Sequence, residues 1–170
     1  MKDYHHKTEI MVTERRHPVG YRLQHLDGRP DLFIPGHYKI ACGGIDRLKT
    51  LAEAYALIRM HNGLGMDVLY EGKNGSDRVH HLYDLTREIK HRVTVVVVKH
   101  DLVDCINAVH ERGHVTSAKQ IHHTAVKVDY DANWFERVGY EVHRLNRTEA
   151  LAKCREILAR GAPAYEGGMG

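Results

Sequence analysis

The sequence predicts an α/β protein built as three layers, an open and mainly parallel sheet with helices on both faces and an N-terminal β-hairpin insertion. Two observations carry this expectation. From residue 50 onward, helical and strand periodicities alternate in the order α-β-α-β-α-α-β-α with short connections. Within that order, residues 93–98 (VTVVVV) form a β-branched, nearly continuous apolar run, as expected of a parallel strand buried on both faces.

The elements follow from the chain in order. Residues 1–18 are charged, with no periodicity beyond Ile10, Met11 and Val12. Residues 19–26 alternate apolar and polar, the period of a half-buried strand. A turn at residues 27–30 (DGRP) leads to a return strand at Leu32, Phe33 and Ile34, which makes a hairpin. A loop over residues 35–46 follows. Thr50 with Glu53 is a capping-box signature, and Leu51, Ala54, Tyr55 and Ile58 form the buried stripe of the helix it opens. That helix ends in the NGLG of residues 62–65, and residues 67–72 form a short strand closing on Gly72.

A helix over residues 77–90 carries Val79, Leu82, Tyr83 and Ile89. Another starts at Asp101, turns Leu102, Cys105, Ile106 and Val109 inward, and stops near Gly113. Ile121, Ala125, Val128, Ala132, Phe135 and Val138 mark a long helix, residues 140–145 a strand, and residues 148–160 a last helix. With no internal repeat or linker, residues 1–160 read as one domain and 161–170 as a flexible tail.

Composition narrows the class further. The 170 residues are 42% hydrophobic and 28% charged with 15 Gly and 4 Pro, which excludes a disordered or collagen-like chain. A core of this size buries about two-thirds of the chain's surface. No apolar run approaches the roughly 20 residues that cross a bilayer, and MKDYHHKTEI has no signal-peptide core, so a cytoplasmic protein is expected. Cys42, Cys105 and Cys154 are isolated, which argues against a disulfide framework and a cysteine zinc site; Cys105 and Cys154 fall on apolar stripes and are expected as core thiols. A net charge of +3 is too mild to demand a nucleic-acid partner, though it does not exclude one. The 15 histidines would make the chain strongly cationic below about pH 6.5.

One stretch carries a resemblance. GHYKIACGGIDRLKTLAEAYALI, followed by DVLYEG, resembles a group of phage and actinobacterial P-loop kinase-like ATP-binding proteins, related in architecture to small nucleotide kinases. The likeness runs through residues 15–115 in order and more loosely to 160. It implies phosphoryl transfer from ATP, with Mg2+, to a nucleotide or nucleoside-type acceptor, and a host-cytoplasmic location if the chain is phage-encoded. It places Glu71 where such kinases hold an acidic residue at a core strand's end, acting on Mg2+ through water. Arg112 becomes a lid arginine facing transferred phosphate. Lys39, Cys42, Gly43, Gly44, Asp46 and Arg47 would line the acceptor side, with Lys73 in the glycine-rich GKNGS beyond the strand.

The chain departs from the pattern at one place. A phosphate cradle needs G-x-x-x-x-G-K-[ST] between strand and helix, and GKNGS has the wrong spacing. The resemblance puts that P-loop unit upstream of Met1, so the chain is expected to lack it, as a late start of a longer protein or as a kinase-like remnant. Taken singly, Glu71 suits a solvated strand end, Arg112 a surface helix end, and Gly43 with Gly44 an ordinary turn. In family order they point to one site.

Two other classes compete. His110-Glu111-Arg112-Gly113-His114 fits H-E-x-x-H, which on a helix sets His110 and His114 on one face to grip Zn2+ while Glu111 activates water, a zinc hydrolase. Among 15 histidines such a match arises readily by chance, and Ser117 and Gln120 stand where the longer zinc-peptidase signature needs Gly and His. Glu136 is a third ligand in sequence only. The adjacent pairs His5-His6, His80-His81 and His122-His123 diverge around a helix or strand and make poor metal clips. The other class is a non-catalytic, kinase-derived binding protein.

Overall fold

Pairing begins in a stretch where the sequence shows no alternation. The first strand, β1 (Tyr4–Ile10), exposes every side chain from His5 to Glu9, so no apolar period marks it. Backbone hydrogen bonds define it instead: it runs antiparallel to β2 (Gly20–His25), from Tyr4 opposite His25 to Ile10 opposite Gly20. The register shifts between His5 and Lys7, where His6 takes φ 51° and drops out of the ladder as a β-bulge. A bulged, charged strand at a sheet edge resists pairing with other chains.

The expected hairpin is present. β2 pairs antiparallel with β3 (Leu32–Pro35), Leu23 opposite Leu32 and Gly20 opposite Pro35. The chain then crosses through α1 (Leu51–Gly63) to β4 (Asp67–Val68), which lies parallel to β3, and the Leu69 N–H continues the ladder to the Phe33 carbonyl at 3.0 Å. Helix α1 opens as expected, Thr50 Oγ1 accepting the Glu53 N–H at 3.1 Å. The Glu53 carboxylate does not turn back to Thr50; it accepts from the Lys49 N–H at 2.8 Å and pairs with Arg15 at 2.6 Å. Ala54, Tyr55 and Ile58 are buried, as the stripe requires, and His61 joins them one turn later, its ring stacked on Phe33 at 3.6 Å. Phe33 supplies the sheet side of this contact, and Val19, Tyr21 and Leu32 are buried in the same unit. Each such side chain contributes about 1.5–3 kcal/mol of hydrophobic stabilisation on full burial.

The computed structural model describes residues 4–39, 44–45, 48–71, 79–89, 93–99, 101–111 and 117–160. They fall into two units: Met1–Lys73 with Leu85–Arg92 and Leu158–Gly170, and Asn74–Asp84 with Val93–Ile157. In the second unit β5 (Thr94–Val98) and β6 (Glu141–Leu145) pair in parallel, Thr94 opposite Glu141 through Val98 opposite Leu145. Helix α4 (Ala118–Arg137) packs on both strands, and α3 (Leu102–Glu111) packs on α4. Trp134 gathers an aromatic cluster, with Tyr83 at 4.9 Å and Phe135 at 5.4 Å. The division between units passes through the helices α2 (Val79–Glu88) and α5 (Arg147–Arg160).

Four expectations change. In place of one mainly parallel sheet, the described strands form a four-stranded mixed sheet in the order β1-β2-β3-β4 and a separate parallel pair β5-β6. The hairpin expected as an insertion is the larger part of the first sheet. The valine run of β5 is buried only at Val97; Thr94 to Val96 are half-buried and Val98 is 44% exposed, since β6 is its one described neighbour. Cys105 and Cys154 are free and half-buried rather than core thiols, and burial pushes the Cys154 thiol up.

Candidate functional site

The loop after β3 is pinned where two glycines meet. His37 and Gly44 form an isolated antiparallel bridge, with His37 N–H to the Gly44 carbonyl at 3.1 Å. Gly36 stands at φ 105°, and a Cβ there would fall 2.5 Å from the Gly44 carbonyl oxygen. Gly44 stands at φ 90°, with space for a Cβ only 3.2 Å from Glu71 Oε2 and 3.3 Å from the Tyr38 ring. Glycine at both positions lets the loop's backbone close on itself and on the strand end that carries Glu71.

Glu71 lies just beyond β4, on its carboxyl side. It borders a cleft of about 450 Å3, within the range of small-molecule sites. Leu23, Ile34 and Leu69 give the cleft apolar walls, and Tyr21, Tyr38 and Tyr70 give it aromatic ones. Lys7 from β1 and Glu71 supply its charges. Lys7 Nζ sits 4.1 Å from the centre of the Tyr21 ring, a cation–π contact. The Tyr38 N–H donates to the Tyr21 hydroxyl at 3.3 Å, and the Tyr38 hydroxyl reaches Glu71 Oε2 at 3.5 Å. The strands thus fix Tyr21 and Lys7, while the bridged loop brings Tyr38 and Gly44 to Glu71.

Of the residues singled out in the sequence, Glu71 and Gly44 come together. Lys39 is exposed and paired with Glu9 at 2.6 Å. The bond raises the lysine above its usual range and holds the Glu9 carboxyl below its own. Cys42, Gly43, Asp46, Arg47, Lys73, Arg112 and His114 lie outside the described residues.

Of the zinc motif, only His110 and Glu111 lie among the described residues. His110 and Glu111 close helix α3, and Glu111 is exposed. Ser117 and Gln120 are the capping box of α4: the Ser117 side chain accepts the Gln120 N–H and the Gln120 side chain accepts the Ser117 N–H, both at 3.2 Å. A helix that starts afresh at Ser117 accounts for these two residues without a metal. Among the described residues, no three His, Cys, Asp or Glu side chains gather as a metal site.

Sequence reasoning missed Lys7, Tyr21, Tyr38 and Tyr70. Tyr38 was within reach, as the third residue of the G-H-Y that opens the loop. Lys7 was not, because β1 has no periodicity.

A 5-hmdU DNA kinase of Pseudomonas phage PaMx11 is 34% identical over 168 residues, covering 96% of this chain and 77% of that protein. No protein-family model matches the chain. No solved structure matches it either. No helix among the described residues is long and apolar enough to cross a membrane.

Proposed function

The chain belongs to the family of the phage 5-hmdU DNA kinase, and on that premise we propose that it phosphorylates a hydroxymethylated pyrimidine in DNA, with ATP as donor and a kinase-like α/β fold. The bond between the γ-phosphorus and the ADP oxygen breaks, a bond to the hydroxymethyl oxygen forms, and the hydroxyl proton passes to water. Such transfers depend on positioning and charge neutralisation more than on covalent chemistry.

The observation that supports this most is the exposed Glu71 carboxylate at the edge of an aromatic cleft, on the carboxyl side of β4, with the Gly44 backbone held against it. A lone exposed carboxylate suits Mg2+, which keeps several waters and takes one or two carboxylates beside substrate phosphates. Glu71 would hold it through water, and the ion would neutralise charge on the transferred phosphate. In the same proposal Gly44, Cys42, Gly43, Asp46 and Arg47 face the acceptor and Arg112 steadies the phosphate in flight. Lys39 joins them only by leaving Glu9.

The test is transfer of labelled γ-phosphate from ATP, with Mg2+, to an oligonucleotide carrying 5-hydroxymethyluracil. The wild-type chain labels it and Glu71→Gln loses about 100-fold or more in rate. Full activity in Glu71→Gln removes the assigned role of Glu71, and labelling of no hydroxymethylated DNA removes the proposal.

A further inference from the structure

We infer that the cleft beside Glu71 receives one pyrimidine base swung out of the DNA stack, with Tyr38 as the face on which it stacks. The identity of that base, and that it belongs to DNA, rest on the kinase proposal; the shape and lining of the cleft do not.

The substituent at C5 of a pyrimidine lies on the major-groove edge, where a protein can reach it without disturbing the duplex. Geometry therefore decides between reading the groove and extracting the base. Groove readers insert a protruding helix or ribbon with polar side chains aimed at base edges. This site is concave, about 450 Å3, with Leu23, Ile34 and Leu69 in its walls. Such walls offer little to a hydrogen-bonding edge and much to the flat, weakly polar faces of a single ring.

Tyr38 is 41% exposed, unlike Tyr21, which is 2% exposed and braces it from below. The two ring centres are 6.3 Å apart at 52°, so the rings do not stack face to face on each other. A Cβ on Gly44 would lie 3.3 Å from the Tyr38 ring, so glycine leaves that space beside the ring open. Lys7 can donate to a pyrimidine carbonyl, and Glu71 marks the side on which the hydroxymethyl oxygen must sit. Enzymes that act on a base commonly extrude it into such a pocket, and the cost of unstacking is recovered there.

The experiment uses the full chain and a duplex with one 5-hydroxymethyluracil opposite 2-aminopurine, whose fluorescence rises when its partner leaves the helix. Phosphate transfer to the same duplex is followed in parallel. The inference expects a fluorescence rise on binding, weakened affinity by roughly 5- to 100-fold in Tyr38→Ala, and retained affinity, whatever the transfer rate, in Tyr38→Phe, which keeps the ring. Transfer without a rise, or a rise that Tyr38→Ala leaves intact, overturns the inference while the kinase proposal stands. A rise that depends on Tyr38 without transfer supports the pocket and overturns the kinase proposal. Absence of both signals overturns both.

Discussion

His61 shows how one polar residue can be part of a hydrophobic core. It is 4% exposed, stacked on Phe33, and its Nδ1–H donates to the Leu57 carbonyl at 2.8 Å. Burial holds the imidazole below the usual histidine range, and the Arg22 charge adds to this against the opposing effect of the Leu57 bond. The unfolded chain therefore takes up this proton first. The neutral ring's contribution is complete above the unfolded value near pH 6.5 and is lost as pH falls toward the lower folded value. Melting curves between about pH 7.5 and 5.5 should show the wild type losing more stability on acidification than His61→Gln, whose side chain does not titrate. Parallel losses would show that this proton is not coupled to folding. His61 was not singled out in the sequence, although it lies three residues beyond Ile58 on the stripe. Glu71 and Gly44 were legible as strand-end and loop residues, and Tyr38 was within reach in the G-H-Y of the same loop, whereas Lys7 was hidden by the unpatterned β1.

At the scale of elements, local chemistry was the readable part. Thr50 capped α1 as its spacing required, and Ser117 with Gln120, noted only as breaking a zinc signature, is the capping box of α4. Such signals act over three or four residues and need no knowledge of the fold. β1 was illegible because an edge strand with exposed side chains is specified by the backbone of its neighbour. The bridged loop after β3 depends on a contact between residues 36 and 44 that sequence periodicity cannot encode. Gly36→Ala puts a Cβ at positive φ against the Gly44 carbonyl, and should cost about 1–3 kcal/mol, seen as a lower urea midpoint at unchanged slope. An unchanged midpoint would mean that the loop opens at little cost and that Gly44 is not held against Glu71 as described.

For the whole molecule, the sequence supplied the type of each element from residue 50 onward but not the partnerships among strands. Apolar periodicity tells which face of a strand is buried and leaves open which strand lies beside it. Hence the hairpin became the main part of a mixed sheet with β4, and among the described strands the valine run pairs with β6 alone. The functional expectation depended on a short loop and strand end, GHYKIACGG with VLYEG, and the phage relative covering 96% of the chain supports a kinase relationship.

The most direct test of that account is mass analysis of an oligonucleotide with one 5-hydroxymethyluracil after incubation with this chain, ATP and Mg2+. The account predicts one added phosphate on the modified base and none on the same oligonucleotide carrying thymine. An unmodified product, or phosphate on both oligonucleotides alike, would contradict it.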